Sequence, residues 1–62
     1  MATATELASV TVIGPSLTLA DAYATAAVAM GPPAIDWLAE FDGYEALTVS
    51  AAGEVRWTPG FP

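Results

Sequence analysis

The chain has 62 residues, 55% of them hydrophobic and 13% charged, with a formal net charge of −6 and Arg56 as its one basic side chain. So acidic a surface cannot neutralise a phosphate backbone, which excludes nucleic acid, and it suits an anionic membrane surface no better. The absence of cysteine and histidine excludes disulfides, thiolate chemistry and the usual zinc ligands.

Residues Leu7 to Ile13 (LASVTVI) are rich in β-branched side chains, with Val10 and Val12 on one face and Thr11 and Ile13 on the other. This predicts a strand, and its apolar character predicts cover on both faces. Gly14-Pro15 ends it. A helix is predicted from Leu17 or Thr18 to about Met30, capped by Ser16 or Thr18, with Asp21 completing a capping-box-like start. Leu19, Tyr23, Ala26/Ala27 and Met30 recur at helical spacing as its buried stripe. Gly31 and Pro32-Pro33 stop it.

Pro33 can open a second, short helix through Phe41, with Ile35, Leu38 and Ala39 on its apolar face and Asp36 and Glu40 toward solvent. Tyr44 to Ala51 (YEALTVSA) alternates as a strand. Ala51-Ala52-Gly53 suits a hairpin loop with a left-handed glycine. Glu54 to Thr58 returns as the partner strand with Val55 and Trp57 facing inward, and Pro59 to Pro62 is turn-like. The expected architecture is α+β, in the order β-α-α-β-β. It has one small domain over residues 1–62, an alanine-rich helix on a small mixed sheet, and a C-terminal hairpin.

A chain of this length buries only about 60% of the surface it exposes when unfolded. With mean hydropathy +0.53, it is expected to need a partner or a further region to complete its core. The start Met1-Ala-Thr-Ala-Thr-Glu6 has neither a basic n-region nor an apolar h-region, so no signal peptide is expected. The apolar run from Ala22 to Met30 is about half of the ~20 residues a membrane span requires.

Chemistry is confined to few residues. Asp21 and Thr25 stand four apart and hence on one helix face. One reading is structural: Asp21 completes the cap and Thr25 bonds back to the Asp21 carbonyl. The other is a pair of oxygen ligands for a hard cation such as Mg²⁺ or Ca²⁺. Asp36 and Glu40, also four apart, read as a solvated face. Trp37 and Phe41 read as core or contact residues, with flavin stacking as the alternative. Glu54 and Arg56 read as an exposed ion pair worth at most ~1 kcal/mol.

The stretch Ser9-Val-Thr-Val-Ile-Gly-Pro-Ser followed by Leu19-Ala-Asp-Ala-Tyr-Ala-Thr-Ala-Ala-Val-Ala-Met-Gly31 resembles the C-terminal segment of the ApbE family. These are magnesium-dependent FAD:protein FMN transferases. Ala34-Ile-Asp-Trp-Leu, Tyr44-Glu-Ala-Leu and Trp57-Thr-Pro-Gly-Phe61 look like the family's closing helix and hairpin, so the resemblance runs from about Leu7 to Phe61.

The resemblance implies transfer of FMN from FAD onto a threonine or serine of an acceptor flavoprotein, with release of AMP. It implies that Asp21 and Thr25 are Mg²⁺ ligands at the FAD diphosphate. The family's FAD-binding body, a further metal-binding carbonyl and the His-x-x-Asp-Pro element have no counterpart here. The isolated chain is therefore expected to bind Mg²⁺ weakly and to be inactive. The parent is expected in the cytoplasm or as an exported lipoprotein, and residues 1–62 as its C-terminal portion. Two other readings use no Asp21: a free-standing interaction module of related fold, and a homodimer of the fragment that covers its exposed sheet.

Overall fold

The computed structural model describes residues 6–62. The signal-peptide reading rests largely on residues 1–5, which lie outside the described residues. The elements are β1 (Leu7–Ile13), α1 (Leu17–Met30), α2 (Ala34–Leu38), β2 (Glu45–Ser50) and β3 (Val55–Trp57). This is the expected β-α-α-β-β order. Among the described residues no helix is long and apolar enough to cross a membrane.

The three strands form one sheet in the order β1-β2-β3, with both pairings antiparallel rather than the expected mixture. The reason is the path after α1. Pro32 to Tyr44 carries the chain back past the helix, so β2 starts beside the end of β1, with Ile13 opposite Glu45. A single helical return would have delivered a parallel strand instead.

The helices cover one sheet face. Leu7, Ala27, Ala34, Ile35, Leu38 and Ala46 form the core, with Val10, Val12, Tyr23 and Trp37 packed around it. The ladder register slips between Leu7 and Ser9. An extra residue in a strand reverses its alternation, which is how Leu7 comes to share a face with Val10 and Val12.

The other face is open. It carries Thr11, Leu47 and Trp57 in one cross-strand row, and Ser9, Val49 and Val55 in the next. Val55 and Trp57 therefore do not face inward as expected: Trp57 is 59% exposed. β1 is likewise covered on one face only. The alternation was read correctly, but it cannot tell which of two apolar faces receives the helices.

α1 begins where expected. Ser16 is its N-cap, its hydroxyl accepting from the Leu19 N–H at 3.2 Å. The buried stripe is Ala20 and Ala27 with Tyr23 half-buried, whereas the expected stripe ends Leu19 and Met30 are 45% and 46% exposed. In a helix where most positions are apolar, the small residues win the inward positions because they let its axis approach the sheet. Gly31 ends the helix at φ 82°, ψ −165°, a backbone conformation reserved for glycine.

α2 is shorter than the expected Pro33–Phe41. Its end tightens into i→i+3 turns, with Glu40 N–H on the Trp37 carbonyl at 3.1 Å and Phe41 N–H on Leu38 at 3.3 Å. Phe41 stays in contact by another route. It stacks on Tyr23 at 4.2 Å and meets Trp37 edge-to-face at 4.9 Å, while Tyr23 also meets Tyr44 edge-to-face at 5.2 Å.

The tail is clasped onto β2. The Thr58 hydroxyl donates to the Glu45 carboxylate and accepts from the Ala46 N–H at 2.9 Å. The same carboxylate accepts from the Gly60 N–H at 3.1 Å. Thr58 is 2% exposed, so Thr58→Val leaves the Ala46 N–H buried without its acceptor. The expected cost is about 2 kcal/mol, read as a lower urea midpoint at unchanged slope.

Candidate functional site

α1 brings Asp21 and Thr25 to its exposed side, one turn apart. Two structural roles were open to this pair, and the chain adopts one of them. The Thr25 hydroxyl donates to the Asp21 carbonyl oxygen at 2.9 Å, the expected back-bond. Asp21 takes no part in the cap, because Ser16 alone supplies it and the first turn of α1 holds no acidic residue.

The consequences differ for the two side chains. The Thr25 hydroxyl has one proton and spends it on its own helix, so its remaining oxygen lone pairs face away from that bond. The Asp21 carboxylate has neither a hydrogen bond nor an ion pair among the described residues. It is exposed on the helix surface. Two hard oxygen donors on one helix face fit a divalent cation of the Mg²⁺ type as part of a ligand set.

They do not complete one. Mg²⁺ takes about six oxygens in near-octahedral array. Among the described residues no three acidic, histidine or cysteine side chains converge as a metal cluster. The remaining donors would have to be water or phosphate oxygens. The electrostatic setting suits a cation, since the only basic side chain, Arg56, lies on β3 and pairs with Glu54 at 3.1 Å.

The other sequence candidates resolve as structure. Asp36 and Glu40 are both exposed, as expected of a solvated face. Trp37 and Phe41 pack edge-to-face within the aromatic cluster and are half-buried, which fits a core role. Sequence reasoning missed the joining of Tyr23 and Tyr44 to that cluster. Their spacing carries no periodic signal, because Tyr23 lies on α1 and Tyr44 just ahead of β2.

A second feature was also missed. A shallow cleft of about 410 Å³ lies between α2 and β3, lined by Ile35, Asp36, Ala39 and residues 55–59. It has one cation, one anion and an apolar floor, and neither Asp21 nor Thr25 reaches it. No phosphate-cradling glycine loop borders it.

A family model described as the ApbE family matches residues 1–48. The matched stretch takes in β1, α1, α2 and the first part of β2, and so both Asp21 and Thr25; β3 and the tail fall beyond it. No curated protein and no solved structure matches the chain.

Proposed function

The chain belongs to the ApbE family of flavin transferases, and on that basis we propose that it is the Mg²⁺-holding, C-terminal portion of an FAD:protein FMN transferase. Asp21 and Thr25 are the residues that hold the ion. The observation that carries this reading is the division of labour within the pair. Thr25 is locked by its bond to the Asp21 carbonyl, and the Asp21 carboxylate is left without a protein partner on an exposed helix face.

The reaction is a phosphoryl transfer. A threonine or serine hydroxyl of the acceptor flavoprotein forms a new P–O bond to the FMN phosphorus of FAD. The diphosphate bond breaks, AMP leaves with the bridging oxygen, and the hydroxyl proton passes to solvent or a base. A bound Mg²⁺ would neutralise charge on the diphosphate oxygens. This chain's own contribution is positional. α1 is anchored to the sheet through Ala20 and Ala27 and fixed at its start by Ser16, so the two oxygens project from a rigid scaffold.

With only one carboxylate and one hydroxyl, the chain by itself should bind the ion weakly. Titration with Mn²⁺ as a paramagnetic stand-in should broaden amide signals around residues 21–25 first. Excess Mg²⁺ should reverse the broadening, and Asp21→Asn should remove it. Broadening centred on Asp36 and Glu40, or tight stoichiometric Mg²⁺ binding measured by calorimetry without FAD, would overturn the assignment.

The non-catalytic reading, a free-standing interaction module, draws its support from the open sheet face with Val55 and Trp57. It differs in requiring nothing of Asp21.

A further inference from the structure

We infer that Tyr44 is a positioning residue for the Asp21/Thr25 pair: its hydroxyl fixes the start of α1 and its ring fixes the roll of the helix. The inference rests on the reading of that pair as metal ligands, and the contacts that carry it lie wholly among the described residues.

The pair does not orient itself. The Asp21 carboxylate is exposed and accepts no hydrogen bond among the described residues, so it lacks the outer partner that ordinarily aims a metal ligand. Thr25 is aimed by the Asp21 carbonyl at 2.9 Å, which is a helix backbone atom. Both oxygens therefore inherit their direction from the backbone of α1. A side-chain oxygen rides about 5–6 Å from the helix axis, so a roll of about 10° moves it by about 1 Å. Mg²⁺ demands near-octahedral geometry, and sites lose function at that scale of misplacement.

The backbone of α1 is set at Ser16. Its hydroxyl accepts from the Leu19 N–H at 3.2 Å and its carbonyl from the Ala20 N–H at 2.9 Å. Its own N–H donates to the Tyr44 hydroxyl at 3.2 Å, across 28 residues of sequence. Two groups of Ser16 thus hold the first turn of α1, and the third ties it to the residue that leads into β2. Gly14 contributes no side chain to this turn; the Tyr44 ring fills the place where one would be. Asp21 stands just past that turn. Helix ends fray inward from their caps, so an untethered cap loosens Asp21, and with it the carbonyl that holds Thr25.

The ring supplies the second constraint. Ala20 and Ala27 are buried through apolar contacts, which are non-directional and leave a helix of small residues free to roll. Tyr23 prevents this. At 3.6 residues per turn it lies about 160° around α1 from both Asp21 and Thr25. On that far side it meets Tyr44 edge-to-face at 5.2 Å and stacks on Phe41 at 4.2 Å. Tyr44 touches both anchoring points, the cap and Tyr23.

The test compares Tyr44→Phe, which keeps the ring and removes the hydroxyl, with Gly53→Ala, which strains the β2–β3 hairpin and touches nothing near α1. Asp21→Asn and the wild-type chain complete the set. Amide exchange and Mn²⁺-induced broadening at residues 21–25 are read on each intact, folded chain. Tyr44→Phe should speed exchange at Leu19 and Ala20 at least about tenfold. It should also raise the Mn²⁺ concentration for half-maximal broadening about fivefold or more. Gly53→Ala should lower the urea midpoint and move neither. Unchanged broadening in Tyr44→Phe, where Asp21→Asn removes it, overturns the positioning role and leaves the metal ligands standing. Broadening that survives Asp21→Asn overturns the metal reading and this inference with it. An equal loss of Mn²⁺ binding in Gly53→Ala also overturns the inference, since the effect would then follow stability alone. If Tyr44→Phe does not fold, a urea series on the wild type decides. Release of Mn²⁺ together with opening of Leu19 and Ala20 and a shift of the Tyr44 ring signals, below the global midpoint, is the expected result. Release only at global unfolding overturns the inference.

Discussion

Asp21→Asn is expected to lower FMN transfer on the order of 10²–10³-fold in the complete enzyme to which this segment is proposed to belong, while its unfolding midpoint stays unchanged. The two halves of that expectation have separate causes. Removing the carboxylate charge would remove the stronger of the two proposed donors to a cation at the diphosphate, and such electrostatic contacts act on the transition state directly. The fold is spared because the Asp21 side chain is exposed and has no hydrogen-bond partner among the described residues, and the cap is made by Ser16. The Asp21 carbonyl that receives the Thr25 hydroxyl is unaltered by the substitution.

Raising Mg²⁺ should recover part of the lost rate, since a weakened site refills by mass action. A steady-state comparison at two Mg²⁺ concentrations, with a melting curve alongside, checks both halves. Activity within a few-fold of wild type would overturn the proposal that Asp21 is a metal ligand. A large loss of stability would reassign it to the fold.

Gly14→Ala should destabilise the chain by about 3 kcal/mol, more than the same change at Gly53. A Cβ at Gly14 would lie 2.1 Å from Cδ2 and 2.3 Å from Cε2 of Tyr44. The ring cannot step aside without loss. Its hydroxyl accepts from the Ser16 N–H at 3.2 Å, and Ser16 caps α1. Its edge packs on Tyr23 at 5.2 Å, which is stacked in turn on Phe41. Displacing Tyr44 therefore loosens the strand-to-helix turn and the aromatic cluster together.

Gly53→Ala is the control. Gly53 has φ +88° and no neighbour within 4 Å of an added Cβ, so only backbone strain of about 1–2 kcal/mol applies. A sequence reader would rank Gly53, in its hairpin loop, as the more sensitive of the two. Urea unfolding of both variants should show the reverse order. Equal midpoints would mean that Tyr44 is free to move.

The comparison shows what kind of information the sequence carries. Element spans were legible because they depend on near neighbours: the β-branched run of β1, the alanine series of α1, and the Gly31-Pro32-Pro33 stop. Which side each element buries was less so. Alternation along Glu54 to Thr58 places Val55 and Trp57 together, but the side on which α1 and α2 settle is decided by the whole sheet. In α1 nearly every position is apolar, so hydrophobicity fits several stripes, and only packing distance selects Ala20 and Ala27 over Leu19 and Met30.

The candidate site was half legible. Spacing gave the shared face of Asp21 and Thr25, and the back-bond followed from it. That Asp21 would be left out of the cap could not be read, because Ser16 and Thr18 were equally good competitors for the same orphan N–H groups.

The position of β1 has a further consequence for how the molecule is made. β1, which carries α1, is synthesised before either helix, and its partner β2 comes after α1 and α2. At about 5–20 residues per second, Leu7 to Ile13 wait on the order of seconds before Glu45 to Ser50 arrive beside them. During that interval the edge that β2 will cover is unpaired. Nascent chains on neighbouring ribosomes would offer each other that uncharged edge. Spacing of translation, and not only the final concentration of protein, then bears on how much of it folds.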